Sequence, residues 1–235
     1  METWFLQLIN HWIARSPATF YQALTMSDRM PWLMAAIVIT ALWYAGERGT
    51  VPTAPGKRTR LQNRTLVILT LASLMVGFIL AKGLQGFWQR PRPLNDFPLQ
   101  VPIEPSVWEA VRQSFFAVDS FPSDHAVMLF VLATGVIYVN KRMGLIVLVA
   151  SIYFALLRIG LGFHWPLDIW AGACIGVLVM SVAILLEPIV HRLLFSLVLQ
   201  FEYYPQVMYA LAFLVVFELW RKFEDLFVLV SRVSG

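Results

Sequence analysis

Cysteine is almost missing from this chain of 235 residues. The single one, Cys174, excludes an intramolecular disulfide, and its apolar neighbours suit a small hydrophobe buried in the membrane better than a reactive thiol. Charge is scarce as well: Asp, Glu, Lys and Arg make up 14% of the residues, against 59% hydrophobic ones. So little charge excludes an ordinary soluble domain and points to an integral membrane protein, in line with a mean hydropathy of +0.69. The net charge is +4, but in such a chain the basic residues report topology, and no nucleic-acid partner is expected. Internal repeats and low-complexity tracts are missing too. The N-terminal "METWFLQLINHWIARS" has neither a basic leader nor a small-residue cleavage site, so a cleavable signal peptide is not expected.

What is abundant is long apolar sequence. Six runs are long enough to span a bilayer, some with tilt: Pro31–Gly46, Thr65–Trp88, Ala126–Asn140, Gly144–Leu157, Pro166–Leu186 and Gln206–Trp220. The fifth opens on Pro166, tolerated in a first turn, and is expected to end before Glu187–Pro188. The fold class expected is therefore all-α, a single polytopic bundle of about six spans. Residues 1–28 read as two short interfacial helices broken at Arg15, Ser16 and Pro17. Residues 29–186 form the core. Residues 187–235 carry the last span and an amphipathic tail, "RKFEDLFVLVSRVSG". The loop after the first span carries Arg48, Lys57, Arg58, Arg60 and Arg64 against Glu47, and "KRMG" follows the third span. Both fall on one side, which the positive-inside rule makes cytoplasmic. Residues 90–124 and the turn 160–165 then share the opposite face.

The few polar residues cluster on that opposite face. "QGFWQRPRPLNDF" brings Arg90 and Arg92. "FPSDH" brings Ser123, Asp124 and His125, and "RIGLGFHWPLD" runs from Arg158 through His164 to Asp168. The chemistry expected is phosphoryl transfer. Guanidinium forks suit phosphate oxygens, and a transferring phosphoryl group needs several cationic donors. Ser123 adds a hydroxyl, and helix N-termini near Asp124 and Trp165 add free N–H groups. Two histidines divide the remaining work, His164 as nucleophile and His125 as general acid. Asp168, four residues after His164, is expected to fix its tautomer. Taken singly, each residue has a plainer role: headgroup anchoring for the arginines and histidines, a stiff turn for "RPRP", a helix-start carboxylate for Asp168. A metal held by His125, His164, Asp124 and Asp168 is conceivable, but no tight ligand spacing supports one, and none is expected.

In their order, R-P, then P-S-x-H, then R-x-x-x-G-x-H-x-x-x-D, these residues resemble the type 2 phosphatidic acid phosphatase superfamily. Its second motif falls on Pro122, Ser123 and His125, its third on Arg158, Gly162, His164 and Asp168. The resemblance implies an all-helical, metal-independent enzyme without cofactor that works through a phosphohistidine. It also implies a lipid phosphate substrate met at the outer face of a bacterial inner membrane. Glutamine at the usual lysine position, "DSFPSDH" and "HW" are similar to the lipid A phosphotransferase branch, which moves phosphate from undecaprenyl diphosphate onto lipid A. Its cousins hydrolyse undecaprenyl diphosphate or phosphatidylglycerol phosphate. Phosphatidic acid is a further substrate of this class. From another class, a silent lipid-phosphate transporter or scaffold remains open, as do the acceptor and the oligomeric state.

There are departures from the family pattern. Counted from Arg92, the family lysine falls on Gln85, with Lys82 about one turn earlier. Leu157 replaces the serine before Arg158. Asp124 replaces the glycine between Ser123 and His125, and two readings of it stand. It caps the third span's N-terminus, or it lies against His125 and favours that ring's protonated form.

Overall fold

The structure is a computed structural model that describes residues 2–48, 57–88, 90–115 and 119–220. The middle of the basic loop and the amphipathic tail after residue 220 lie outside these. Ten helices occur among the described residues. The six expected spans correspond to α3 (Met30–Tyr44), α4 (Arg60–Phe87), α7 (Asp124–Val139), α8 (Lys141–Gly160), α9 (Pro166–Tyr203) and α10 (Pro205–Trp220). The interruption at Arg15–Pro17 separates α1 (Glu2–Ile13) from α2 (Pro17–Asp28). Ser16 and Thr19 form a reciprocal cap there, and Pro17 opens the new helix.

Most boundaries fall within a few residues of expectation, and one does not. The fifth span does not stop at Glu187–Pro188; α9 runs on through Pro188 to Tyr203, 38 residues in all. Pro188 removes one ladder bond, a cost on the order of 3 kcal/mol. The helix continues because the next two turns have a face to bury: Leu194 and Val198 are fully covered, and Leu194 joins the cluster built on Leu66, Leu69 and Leu74 of α4. At about 1.5 Å per residue, α9 is roughly 57 Å long, well beyond a hydrocarbon core of about 30 Å. Its far end is clamped to α4 by Glu202, which pairs with the buried Arg64.

Helix α7 is the axis of the bundle, enclosed by α4, α8 and α9. Without water to drive apolar burial, close approach of helices needs small residues. Gly172 of α9 provides it. A Cβ there would lie 2.5 Å from the Ser123 carbonyl oxygen, and one at Gly176 would lie 2.4 Å from that of Val127. A side chain at Gly172 would therefore lever apart the starts of α7 and α9. Large apolar side chains such as Ile79, Ile146, Leu178, Leu185 and Ile189 face outward, which suits a lipid surround.

Two further helices, α5 (Pro93–Asp96) and α6 (Pro105–Phe115), lie in the long segment between α4 and α7. In α6, Val107, Trp108, Val111 and Phe115 form a helical stripe. They pack on the cluster of Ile13, Phe20, Leu157 and Phe163. Helix α1 is likewise more than a surface element. Asn10 is buried and donates to the carbonyls of Gln100 and Gly160, tying α1 to the end of α8.

Candidate active site

All three motif segments meet at one end of the bundle, joined through the main chain. The Ser120 N–H donates to the Arg90 carbonyl, the Ser123 N–H to that of Asp168, and the Leu94 N–H to that of Gly162. Gly162 has φ +73°, which lets the chain turn back so that the Phe163 and His164 N–H groups reach the Arg158 carbonyl. A side chain at Gly162 would cost roughly 1–2 kcal/mol in backbone strain. Its Cβ would also meet the Leu94 main chain at 3.1 Å.

His164 is fully buried in this turn. Its Nδ1 lies 2.9 Å from the Ser120 carbonyl oxygen, which can only accept, so Nδ1 carries the proton. Nε2 is then the basic nitrogen, and Arg92 Nη1 stands 3.3 Å from it. Burial first, then the Arg92 and Arg158 guanidiniums, hold the imidazole well below its ordinary value. The ring is accordingly neutral near pH 7, as a nucleophile must be. Asp168, contrary to expectation, does not fix the tautomer of His164. Its Oδ2 is 3.9 Å from His164 Nδ1, too far for a hydrogen bond, and the Ser120 carbonyl orients the ring instead. Asp168 accepts from the Trp165 N–H at 2.8 Å, closing the first turn of α9, and from Arg90 Nη1 at 2.7 Å. Its charge still stands one side chain away from any imidazolium formed at His164.

Arg92 and Arg158 are both buried. Arg92 donates to the carbonyls of Phe163 at 2.7 Å and Asp119 at 3.1 Å, and its guanidinium lies over the Phe115 ring. Burial pushes it below its ordinary value, opposed by Asp124, Asp168 and Asp119. Arg158 reaches the Ser27 carbonyl at 3.3 Å, and its buried Nε has no hydrogen-bond partner among the described residues. Arg90, expected on phosphate, is instead held between two carboxylates, Asp168 and Glu2, the latter at 2.8 Å. Glu2 also accepts from the Leu167 N–H at 3.0 Å, one of the open donors of α9. The sequence reading missed Glu2; nothing local to it signals a contact 165 residues away.

At the head of α7, Ser123 is the N-cap, its hydroxyl accepting from the Ala126 N–H at 3.3 Å. Asp124 therefore is not the cap. It is the first helical residue, and its Oδ1 accepts from the His125 N–H at 2.8 Å and meets His125 Nδ1 at 2.9 Å. The contact required by the second reading of Asp124 is present. Its other oxygen pairs with Lys82 at 3.0 Å. Lys82 also donates to Gln85 Oε1 at 3.0 Å, and Gln85 Nε2 donates to the Pro122 carbonyl at 2.9 Å. Two of the three departures from the family pattern, an extra carboxylate and a displaced lysine, thus neutralise each other. Among the described residues, no three of His, Cys, Asp or Glu converge as metal ligands.

The basic residues gather at the other end. Arg58 lies over Tyr138 near the end of α7, Lys57 pairs with Glu47, and Lys141 and Arg142 open α8.

The chain is 30% identical over 117 residues to bacitracin transport permease protein BcrC of Bacillus licheniformis, covering 50% of this chain and 53% of that protein. It is 34% identical over 79 residues to a protein of Escherichia coli strain K12 provisionally named undecaprenyl-diphosphatase YbjG, covering 33% of this chain and 40% of that one. The matches thus span about half or less of these relatives' lengths. In fold, it resembles the crystal structure of Aquifex aeolicus LpxE with a TM-score of 0.50 and 23% identity, over 76% of this chain and 92% of that one. The family model of the PAP2 superfamily matches residues 65–191, which include His125, Arg158, His164 and Asp168. That is more than half of the chain, and this membrane protein belongs to the PAP2 superfamily.

Proposed function

We propose that the protein is a lipid phosphatase or phosphotransferase that takes the terminal phosphoryl group of a polyprenyl diphosphate, undecaprenyl diphosphate first among them. The observation that carries this is the orientation of His164. Its Nδ1 is committed to the Ser120 carbonyl, and its neutral Nε2 stands beside the buried Arg92. Nε2 attacks the terminal phosphorus, and a P–N bond forms as the bond to the bridging oxygen breaks. That oxygen takes a proton from His125, whose Nδ1 is held by Asp124. Water, or a lipid acceptor such as lipid A, then gives up a proton to His125 and breaks the P–N bond. Arg92 and Arg158, with the Ser123 hydroxyl, supply the donors for the phosphoryl oxygens, work that a metal would otherwise do; the first-turn N–H groups of α7 and α9 are already taken by Asp124, Ser123, Asp168 and Glu2. Basic residues at the far end support a periplasmic site in a bacterial inner membrane.

The Bacillus relative is named for bacitracin transport, and a transport role favours a second reading for this chain, a lipid-phosphate transporter without turnover. Incubating detergent-solubilised protein with terminally labelled undecaprenyl diphosphate, with and without lipid A, separates them. Label in inorganic phosphate or in lipid A supports the enzyme. Intact substrate throughout supports the transporter. Release only from phosphatidylglycerol phosphate or phosphatidic acid would replace the substrate.

A further inference from the structure

Lys82 is a partly open cation at the edge of the site. Its side chain is 30% exposed, against 8% for the Asp124 carboxylate that holds it. An ammonium has three donors. Gln85 and Asp124 take two of them, and the exposed side of the group offers the third to a ligand. Asp124 grips Lys82 with one oxygen and His125 with the other, so ammonium and imidazole lie side by side.

His125 also lines a narrow apolar cleft with Trp32, Leu74, Met128 and Leu132, between α3, α4 and α7. Leu74, Phe78 and Lys82 follow one stripe of α4 at four-residue steps, and Lys82 rests 5.6 Å above the Phe78 ring. The cleft ends at His125, and Lys82 stands on the other oxygen of the carboxylate that holds His125.

We propose that Lys82 binds the leaving phosphate of a lipid diphosphate and so makes the site select diphosphates over monophosphates. This rests on the phosphatase reading above. When a diphosphate is cleaved, the bridging oxygen departs on the lipid's own phosphate. It takes its proton from His125, and the remaining oxygens keep their negative charge beside Lys82. A monophosphate ester departs as an alcohol and offers Lys82 no anion. Arg92 and Arg158 stay with the transferred group in either case. The placement also accounts for the displaced lysine. Position 85, one turn nearer the Pro122 carbonyl, holds a neutral glutamine that braces Lys82.

The test compares phosphate release from undecaprenyl diphosphate and undecaprenyl phosphate by wild type, Lys82→Met and Lys82→Arg, with thermal unfolding as a check on folding. Wild type is expected to favour the diphosphate. Lys82→Met is expected to lose about 10- to 100-fold in kcat/KM on it, mostly through KM, as fits one lost charge-assisted bond. On the monophosphate its loss should be smaller by about tenfold, and Lys82→Arg should restore much of the preference. Equal fractional losses on both lipids would overturn the assignment. So would a wild type without preference, which decides the matter even if Lys82→Met does not fold. Wild-type protein that is folded yet releases phosphate from neither lipid would sink the phosphatase reading itself, and this inference with it.

Discussion

At the head of α7, Asp124 and His125 are adjacent in sequence and touch, Oδ1 to Nδ1 at 2.9 Å. In the turn before α9, His164 and Asp168 have the four-residue spacing of one helical turn and do not, at 3.9 Å. The spacing rule holds for residues inside a helix. His164 lies two residues ahead of α9, where the Gly162 turn aims its ring at a main-chain carbonyl. At the first position of α7, by contrast, the Asp124 side chain folds back over the open N–H groups and meets its neighbour's ring. The proposed nucleophile is therefore oriented by backbone and the proposed general acid by a side chain. The two differ in how easily substitution can uncouple them.

Three variants sharpen the contrast. His164→Ala should bring the largest loss, about 10⁴-fold or more in phosphate release, on every substrate, with the protein still folded and inserted. Turnover near wild type would refute the nucleophile. His125→Ala should lose about 10²- to 10⁴-fold on lipid phosphates and far less on an activated aryl phosphate, whose leaving group needs no proton. Equal losses on both would argue against its acting as the acid. Asp124→Gly restores the usual family residue and leaves the Ser123 cap intact, so its effect should be the smallest. Lipid turnover should fall roughly tenfold, with a lesser fall on the aryl phosphate and a nearly unchanged Tm. A larger loss of Tm than of activity would make Asp124 a structural residue.

Much of this was legible in the sequence, for identifiable reasons. Six apolar runs announce helices because a bilayer sets their length, and the three clusters announce a site because charge is so rare elsewhere. Arg92, Arg158, His125 and His164 do converge at one end, as alternation of the spans requires. The remainder depended on contacts that no local pattern encodes. The Ser120 carbonyl orients His164, yet any residue type would supply it. Glu2 and Asn10 reach the site region from the opposite end of the chain. The passage of α9 through Pro188 depends on what Leu194 and Val198 bury, which propensity alone does not report. Helix α6 is legible in the spacing of Val107, Trp108, Val111 and Phe115, but at 11 residues it is too short to carry the apolar length that marks a span.

Three main-chain hydrogen bonds, from Ser120 to Arg90, Ser123 to Asp168 and Leu94 to Gly162, join the segments that carry the site. Such stitching depends on register and is indifferent to side-chain identity. Rim residues can therefore be exchanged and new lipid headgroups admitted without disturbing the reacting atoms. One residue inserted between Arg90 and Leu94 would shift two of the stitches against each other and pull Arg92 away from His164. Variation in this architecture should run through replacement at constant loop length.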